Sequence, residues 1–185
     1  YRIVSHENGT GTKITSAIPL KNSGNYERMS FGSNVTFSKD NTIGTFLNGD
    51  YLTSGTYLTS DQVNMIEDNT TWYLGTVGDA NYKLAKYQDA TSSNLTTSTT
   101  TAKVGLLRLG ELMAGQFDKY GNTTNYWTLT PYSTSGVRYD GYNNNGYFSG
   151  PAGSVGSRPS MNLKSNVIIT GGDGTKNSPF QIKLG

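Results

Sequence analysis

Residues capable of acid–base, nucleophilic or metal chemistry are scarce in this sequence. The 185 residues include one histidine, His6, and no cysteine. A serine nucleophile needs a histidine base, but no Gly-x-Ser-x-Gly elbow is present. Zinc and iron sites rarely form from carboxylates alone. The sequence therefore predicts no catalytic residue, no metal site and no cofactor, and His6 is expected to be an exposed loop residue beside a hairpin turn.

Carboxylate chemistry is the one catalytic class that the composition leaves open. Glycoside hydrolysis needs two facing carboxyl groups, and the sequence alone cannot pair any two of the 13 Asp and Glu residues. Glu111 lies in an amphipathic pattern, where a lone carboxylate is usually solvated or ion-paired. A carbohydrate hydrolase is accordingly the third interpretation, behind two non-catalytic ones.

The segment 126–163 has a different character. Two strand-like runs, 126–130 and 158–163, enclose residues that are mostly Tyr, Asn, Gly, Ser and Asp. Tyr supplies broad, rigid contact area, while Ser, Gly and Asn supply adaptable hydrogen bonding at low steric cost. The segment therefore favours a ligand-binding surface. The candidate contact residues are Tyr132, Arg138, Tyr139, Asp140, Tyr142, Asn143, Asn144, Asn145 and Tyr147.

The composition indicates a folded, exported domain. Hydrophobic residues make up 34% of the chain and aromatic residues 11%, including 13 Tyr, so we expect a thin, Tyr-rich core. The net charge is only +2 and no basic run occurs, which argues against a nucleic-acid partner. Low charge with abundant hydroxyls and amides is common in bacterial surface proteins, and a lack of cysteine fits a Gram-positive exterior.

The length predicts a single domain over residues 1–185. No apolar stretch approaches the ~18 residues needed to span a bilayer, so we expect no direct membrane insertion. The sequence opens in a strand-like run at residues 1–4. We therefore expect it to be a fragment of a longer exported protein whose targeting segment and anchor lie elsewhere.

Local patterns predict short strands and helices. Asn8-Gly9 between two β-rich runs is a hairpin signal, and the cap-forming residues around Asn41 and Thr59 predict helix starts. The clearest helix pattern covers 104–117, where Leu106, Leu109 and Leu112 recur on one face. The predicted strands are 1–5, 13–20, 35–37, 72–74, 126–130, 136–139, 146–148, 158–163, 167–170 and 180–184.

Three further features receive a structural interpretation. Arg158, before Pro159, is expected to supply buried hydrogen bonds rather than to grip an anion. Trp127 lies in an alternating strand and is expected in the core. The sequence G-G-D-G-T at 171–175 lacks the ligand spacing of an EF-hand, so a tight turn is expected there.

Several of these motifs occur in an order that resembles a known family. They are Y-R-I-V at 1–4, V-G-L-L-R-L-G-E at 104–111, W-T-L-T-P at 127–131, S-R-P-S-M-N-L-K-S at 157–165, and G-G-D-G-T at 171–175 with P-F at 179–180. The pattern resembles an uncharacterised exported domain common in gut Firmicutes, which opens on W-R-I-V and closes on G-V-R-P-x-x-x-L and G-D-G-T-x-x-x-P-Y. Tyr1, Ser157 and Phe180 depart from it.

That domain is similar to the C-type-lectin-like superfamily. The resemblance implies an α+β fold with short antiparallel sheets, two helices and long irregular loops. The cysteines and the three-histidine iron site of the superfamily's enzymes are absent here, as are the Glu-Pro-Asn and Trp-Asn-Asp motifs of calcium-dependent sugar binding. Related domains often follow a prepilin-like helix, which implies an extracellular, cell-surface or pilus-associated location.

The residues and the resemblance together predict a non-catalytic bacterial surface recognition or adhesion module. Its partner would be a host or bacterial surface protein or a glycan, bound through the Tyr/Asn/Gly-rich C-terminal loop surface. The alternative is a pilin-like or cell-wall assembly subunit that contacts copies of itself. The composition leaves open whether calcium takes part.

Overall fold

Strands dominate the fold of this chain. The computed structural model describes residues 1–7, 11–76, 98–115, 124–141 and 147–185. Its strands are β1 (Arg2–Glu7), β2 (Gly11–Thr15), β3 (Lys21–Asn22), β4 (Asn25–Tyr26), β5 (Arg28–Met29), β6 (Thr70–Tyr73), β7 (Thr99–Ala102), β8 (Gly105–Leu106), β9 (Tyr126–Pro131), β10 (Val137–Asp140), β11 (Phe148–Ser149), β12 (Val155–Gly156), β13 (Pro159–Leu163), β14 (Val167–Gly171) and β15 (Gln181–Leu184). The helices are α1 (Thr42–Asn48), α2 (Asp50–Thr53), α3 (Ser60–Asn64) and α4 (Leu109–Gly115).

The first sheet joins the beginning of the chain to its later part in the order β1-β2-β13-β8. β1 and β2 pair antiparallel, which confirms the predicted N-terminal hairpin, although Asn8 and Gly9 lie outside the described residues. β13 then inserts between β2 and β8, and Met161 stands opposite Ile14. Both side chains belong to the main hydrophobic core.

The second sheet has the order β11-β10-β9-β12-β5. Its central strand β9 is buried along its whole length. Trp127 and Leu129 face the main core, where the Trp127 ring meets Phe31 edge-on at 5.6 Å, so the prediction of a core role for Trp127 is confirmed. Tyr126, on the opposite face, packs with Leu107 and Leu112. The sheet is therefore covered on both faces.

Local capping explains where two of the helices begin. The Asn41 side chain accepts a hydrogen bond from the Gly44 N–H at 2.8 Å, at the start of α1. Thr59 and Gln62 form a reciprocal capping box at the start of α3. Both helix starts were predicted from the cap-forming residues around Asn41 and Thr59 and are confirmed, whereas the part played by Gln62 was not predicted. Within the described ranges, no helix is long and apolar enough to cross a membrane.

The expected α+β, C-type-lectin-like fold class with two helices is wrong. Several small sheets make up most of the regular structure, and helices are a minor component. The described helices are four in number and none exceeds seven residues. The runs of β-branched and aromatic residues pair into these sheets, which leaves little sequence to form long helices.

The predicted helix over 104–117 is also wrong in its first part. Gly105 and Leu106 form β8 beside β13, and α4 begins only at Leu109. A Cβ on Gly105 would lie 2.6 Å from the Trp72 ring, so the backbone passes directly over this indole. The apolar spacing at Leu106 and Leu109 therefore reflects burial in two different elements rather than one helical face.

The predicted strand at 35–37 does not form either. Asn34 Oδ1 accepts a hydrogen bond from the Thr36 N–H at 2.9 Å, which closes a local side-chain turn. Such turns compete with strand pairing for the same backbone donor. Phe37 is nevertheless fully buried in the main core, so the apolar run was correctly interpreted as interior.

Candidate functional site

The β9–β10–β11 part of the second sheet carries the described members of the predicted binding surface. Tyr139 stands opposite Trp127, and Asp140 stands opposite Tyr126. The Thr128 hydroxyl donates to the Arg138 carbonyl at 2.8 Å, which ties β10 to the buried centre of the sheet. The described recognition residues therefore lie on or directly beside strands of the sheet whose central strand is the buried β9.

Four aromatic rings gather where this sheet ends; we call Tyr132, Tyr139, Tyr147 and Phe148 the aromatic edge. The rings of Tyr132 and Phe148 stack with centroids 4.0 Å apart and planes 13° from parallel. The Tyr139 ring lies 6.2 Å from that of Tyr147 and meets Trp127 edge-on at 6.3 Å. Tyr147 and Phe148 remain 53% and 50% exposed. The edge thus offers solvent-accessible rings held in place by partly buried ones.

Arg138 and Asp140 lie beneath the surface rather than on it. Their exposed fractions are 2% and 5%. The Arg138 guanidinium carbon is 4.9 Å from the Tyr132 ring centroid, close enough for a cation–π contact. Asp140 Oδ1 accepts a hydrogen bond from the Gly141 N–H at 2.8 Å. We therefore give both residues a supporting position and leave them out of the proposed contact surface.

The other predicted contacts divide into two groups. Tyr132, Tyr139 and Tyr147 come together at the aromatic edge. Tyr142, Asn143, Asn144 and Asn145 lie outside the described residues. Sequence reasoning overlooked Phe148, because it was interpreted only as part of a short strand. A strand bearing two adjacent aromatic residues, with Tyr147 directly before Phe148, is the signal that could have identified it.

Arg158 takes the structural role predicted for it. Its Nε donates to the Ser16 carbonyl at 3.1 Å, and its guanidinium lies 4.8 Å from the Tyr126 ring centroid. The side chain is buried. These contacts fasten the start of β13 to the end of the N-terminal hairpin and to β9.

The chemically versatile residues elsewhere are engaged in structural contacts. Glu111 forms an ion pair with Lys13 at 2.6 Å and also accepts from the Arg108 N–H at 2.8 Å, where α4 begins. His6 is exposed as predicted, but it lies in β1 rather than in a loop, and its Nδ1 is 2.7 Å from Thr12 Oγ1. Glu111 therefore serves to anchor a helix N-terminus.

Two exposed carboxylates have lowered pKa values for structural reasons. The hydrogen bond from Lys103, at 2.7 Å, and the charges of Lys103 and Lys164 lower the pKa of Asp68. The Thr175 N–H donates to Asp173 at 3.0 Å and lowers the pKa of that carboxyl. Asp173 thereby organises the turn between β14 and β15, as expected for segment 171–175. No group of three or more His, Cys, Asp or Glu residues that could hold a metal occurs in the described part of the chain.

Comparisons of the whole chain with protein-family models, with curated proteins and with solved structures found no match.

Proposed function

We propose that this domain is a non-catalytic recognition module on a bacterial surface, and that it binds a protein or glycan partner through the aromatic edge. The observation that carries the proposal is the pair of half-exposed rings, Tyr147 and Phe148, which are held by ring contacts with Tyr139 and Tyr132. Aromatic side chains in ordered positions lose little conformational entropy on binding and commonly dominate binding energy.

The extracellular location rests on composition. The chain combines low charge, no cysteine and many hydroxyl and amide side chains. These features support display outside a Gram-positive cell, and they also suit a surface that recognises its partner through rings and neutral hydrogen-bonding groups rather than through charge.

The test is a glycan and surface-protein array probed with the wild-type domain and with Tyr147→Ala and Phe148→Ala. Because both side chains are half exposed, each substitution should lower the thermal midpoint by only a few degrees while weakening a saturable hit by about tenfold or more. Tyr73→Ala is the matched control, since Tyr73 is 47% exposed but belongs to the β6–β7 ribbon. Repeating the array with calcium and then with chelator shows whether an ion takes part.

The proposal fails if no saturable hit appears on either array. It also fails if every hit is retained equally by Tyr147→Ala, Phe148→Ala and Tyr73→Ala, because binding would then use another surface.

A structural assembly subunit is the second candidate, favoured by the C-terminal ribbon. β14 and β15 pair only with each other in the described structure, and their register places Val167 opposite Leu184 and Ile169 opposite Ile182 on one face. Ile169 and Leu184 are exposed. Sedimentation equilibrium would detect concentration-dependent self-association, and its loss in Ile169→Ser would favour this function over the first.

A further inference from the structure

β11 is an outer strand of the second sheet, with β10 on its inner side. Its hydrogen-bonding pattern is fixed by register, since Arg138 pairs with Phe148, Val137 pairs with Ser149, and the Tyr139 N–H donates to the Tyr147 carbonyl at 2.7 Å. Hydrogen-bonded and non-bonded pairs alternate along an antiparallel ladder. Arg138 and Phe148 therefore form a non-bonded pair, and the N–H and C=O of Phe148 point outward, away from β10.

Rings flank this outward-facing backbone on both sides of the sheet. Successive side chains of a strand point to opposite faces. Tyr147 accordingly lies on the Tyr139 face, and Phe148 lies on the face that carries Tyr132 and Arg138. The outward N–H and C=O of Phe148 thus lie between two exposed rings, that of Tyr147 on one face of the sheet and that of Phe148 on the other.

The described, exposed residues that adjoin the edge along the chain are short and uncharged. The exposed residues in the β9–β10 turn are Thr134 and Ser135, and exposed Gly150 directly follows β11. Protein edge strands are usually blunted by lysine, proline or a bulge. β11 carries no lysine, proline or bulge. It is only two residues long, which itself limits edge pairing, so an incoming strand can pair fully with one residue, Phe148.

We propose that the partner at the aromatic edge is a polypeptide, and that an extended segment of it adds as a strand beside β11. The proposal rests on the proposed function and names the kind of partner. One residue of the segment pairs through both its N–H and its C=O with Phe148, as in other cases of strand addition. The segment's neighbouring side chains then lie against Tyr147 on one face and Phe148 on the other, which favours an uncharged sequence with aliphatic or aromatic residues.

The test begins with a phage-displayed random dodecapeptide library selected on the wild-type domain, with Phe148→Ala used for counter-selection. Selected peptides are synthesised and scanned by single N-methylation. Methylating the residue that pairs with Phe148 should weaken binding about tenfold or more, because it removes a donor and blocks close approach. The residues on either side should tolerate it, since their N–H groups face away.

The matching change in the protein removes a single backbone donor. Replacing Phe148 with phenyllactate converts its amide to an ester, deletes the outward N–H and keeps the ring. The ester also makes the Tyr147 carbonyl a weaker acceptor for the Tyr139 N–H, so the stability of the variant is measured beside its affinity. The affinity for the selected peptide should fall about three- to tenfold, the value of one hydrogen bond. The same replacement at Phe180, which is exposed beside β15, should leave the affinity unchanged.

The outcomes separate this inference from the proposed function. If peptides bind and depend on the Phe148 ring, but neither the N-methyl scan nor the ester has an effect, strand addition is overturned and the recognition surface stands. If the array hits are confined to glycans and no peptide is selected, strand addition is likewise overturned and the recognition surface stands. If no ligand appears on either array and the counter-selected library yields no peptide, both are overturned.

Discussion

The rings of Tyr132 and Phe148 stack nearly face to face, with centroids 4.0 Å apart and planes 13° from parallel. A Cβ on Gly136 would lie 2.9 Å from Phe148 Cδ2, so the exposed ring also rests on a glycine backbone. Phe148 is therefore held in one orientation although half of it faces solvent. Such ordering is what allows an exposed ring to act as a binding anchor.

This stack predicts a measurable coupling between the two side chains. A double-mutant cycle of Tyr132→Ala and Phe148→Ala in chemical denaturation should give about 0.5–1.5 kcal/mol, the usual value for an aromatic pair. The control cycle combines Phe148→Ala with Tyr73→Ala, whose residue lies in a different sheet, and should give a coupling near zero. Additive effects for Tyr132 and Phe148 would show that the stack does not order the ring.

Asn48 provides a second testable contact, because it satisfies both backbone groups of Val104. Its Nδ2 donates to the Val104 carbonyl at 2.9 Å, and its Oδ1 accepts from the Val104 N–H at 3.0 Å. Val104 is fully buried. Asn48→Ala should lower the free energy of unfolding by about 2–6 kcal/mol, since it leaves two buried groups unsatisfied and each costs about 1–3 kcal/mol.

A second substitution at Asn48 tests its donor and its acceptor separately. Asn48→Asp keeps an acceptor for the Val104 N–H but loses the donor to its carbonyl, so it should also be destabilising. Asn64→Ala, at an exposed position in α3, is the control and should change stability by less than about 0.5 kcal/mol. Equal effects at Asn48 and Asn64 in urea denaturation would contradict this account.

The parts of the fold that were predictable depend on local chemistry. Asn41 and Thr59 each cap within a single turn of helix, so their sequence context was enough. The insertion of β13 between β2 and β8 joins residues such as Ile14 and Ser160, whose atoms meet across 146 positions of sequence. No local pattern encodes that partner choice, and the division of 104–117 between a strand and a helix follows from it.

The candidate site shows the same limit. Residue type alone grouped Tyr132, Tyr139 and Tyr147, and the structure brings their rings to one sheet edge. The burial of Arg138 and Asp140 could not be read in the same way, because it depends on which face of β10 the rest of the fold covers. α4 contacts both β9 and β10, and its own start was misplaced in the sequence interpretation.

Adding a side chain at Gly105 should produce a steric clash in the core. Because a Cβ there would lie 2.6 Å from the Trp72 ring, Gly105→Ala must displace a buried indole whose Nε1 donates to the Ala102 carbonyl at 3.0 Å. We expect a loss of about 1–3 kcal/mol, measured by chemical denaturation. Gly150→Ala is the control, since the nearest atom to its Cβ would be the Ser135 carbonyl oxygen at 4.0 Å. Similar losses at both positions would contradict the close approach at Trp72.

The raised pKa of Tyr57 makes the free energy of unfolding depend on pH in the alkaline range. Burial, together with the hydrogen bond that Tyr57 donates to Glu27 Oε1 at 2.8 Å, raises the pKa of Tyr57 to about 12. The unfolded chain releases this proton near the ordinary value of 10.0, so between those pH values the folded state holds more protons. The contribution is complete below about pH 10 and is lost as the pH rises to about 12.

Urea denaturation at several pH values between about 8 and 12 measures this loss. Tyr57→Phe lacks the titrating phenol, so its stability should fall less steeply than that of the wild type across the upper part of the range. Glu27→Gln keeps an oxygen acceptor but removes the negative charge that opposes phenolate formation, so its slope should lie between the other two. Parallel curves for all three proteins would show that the phenol titrates alike in the folded and unfolded states. The Tyr57–Glu27 hydrogen bond would then make no contribution to the pH dependence of the free energy of unfolding.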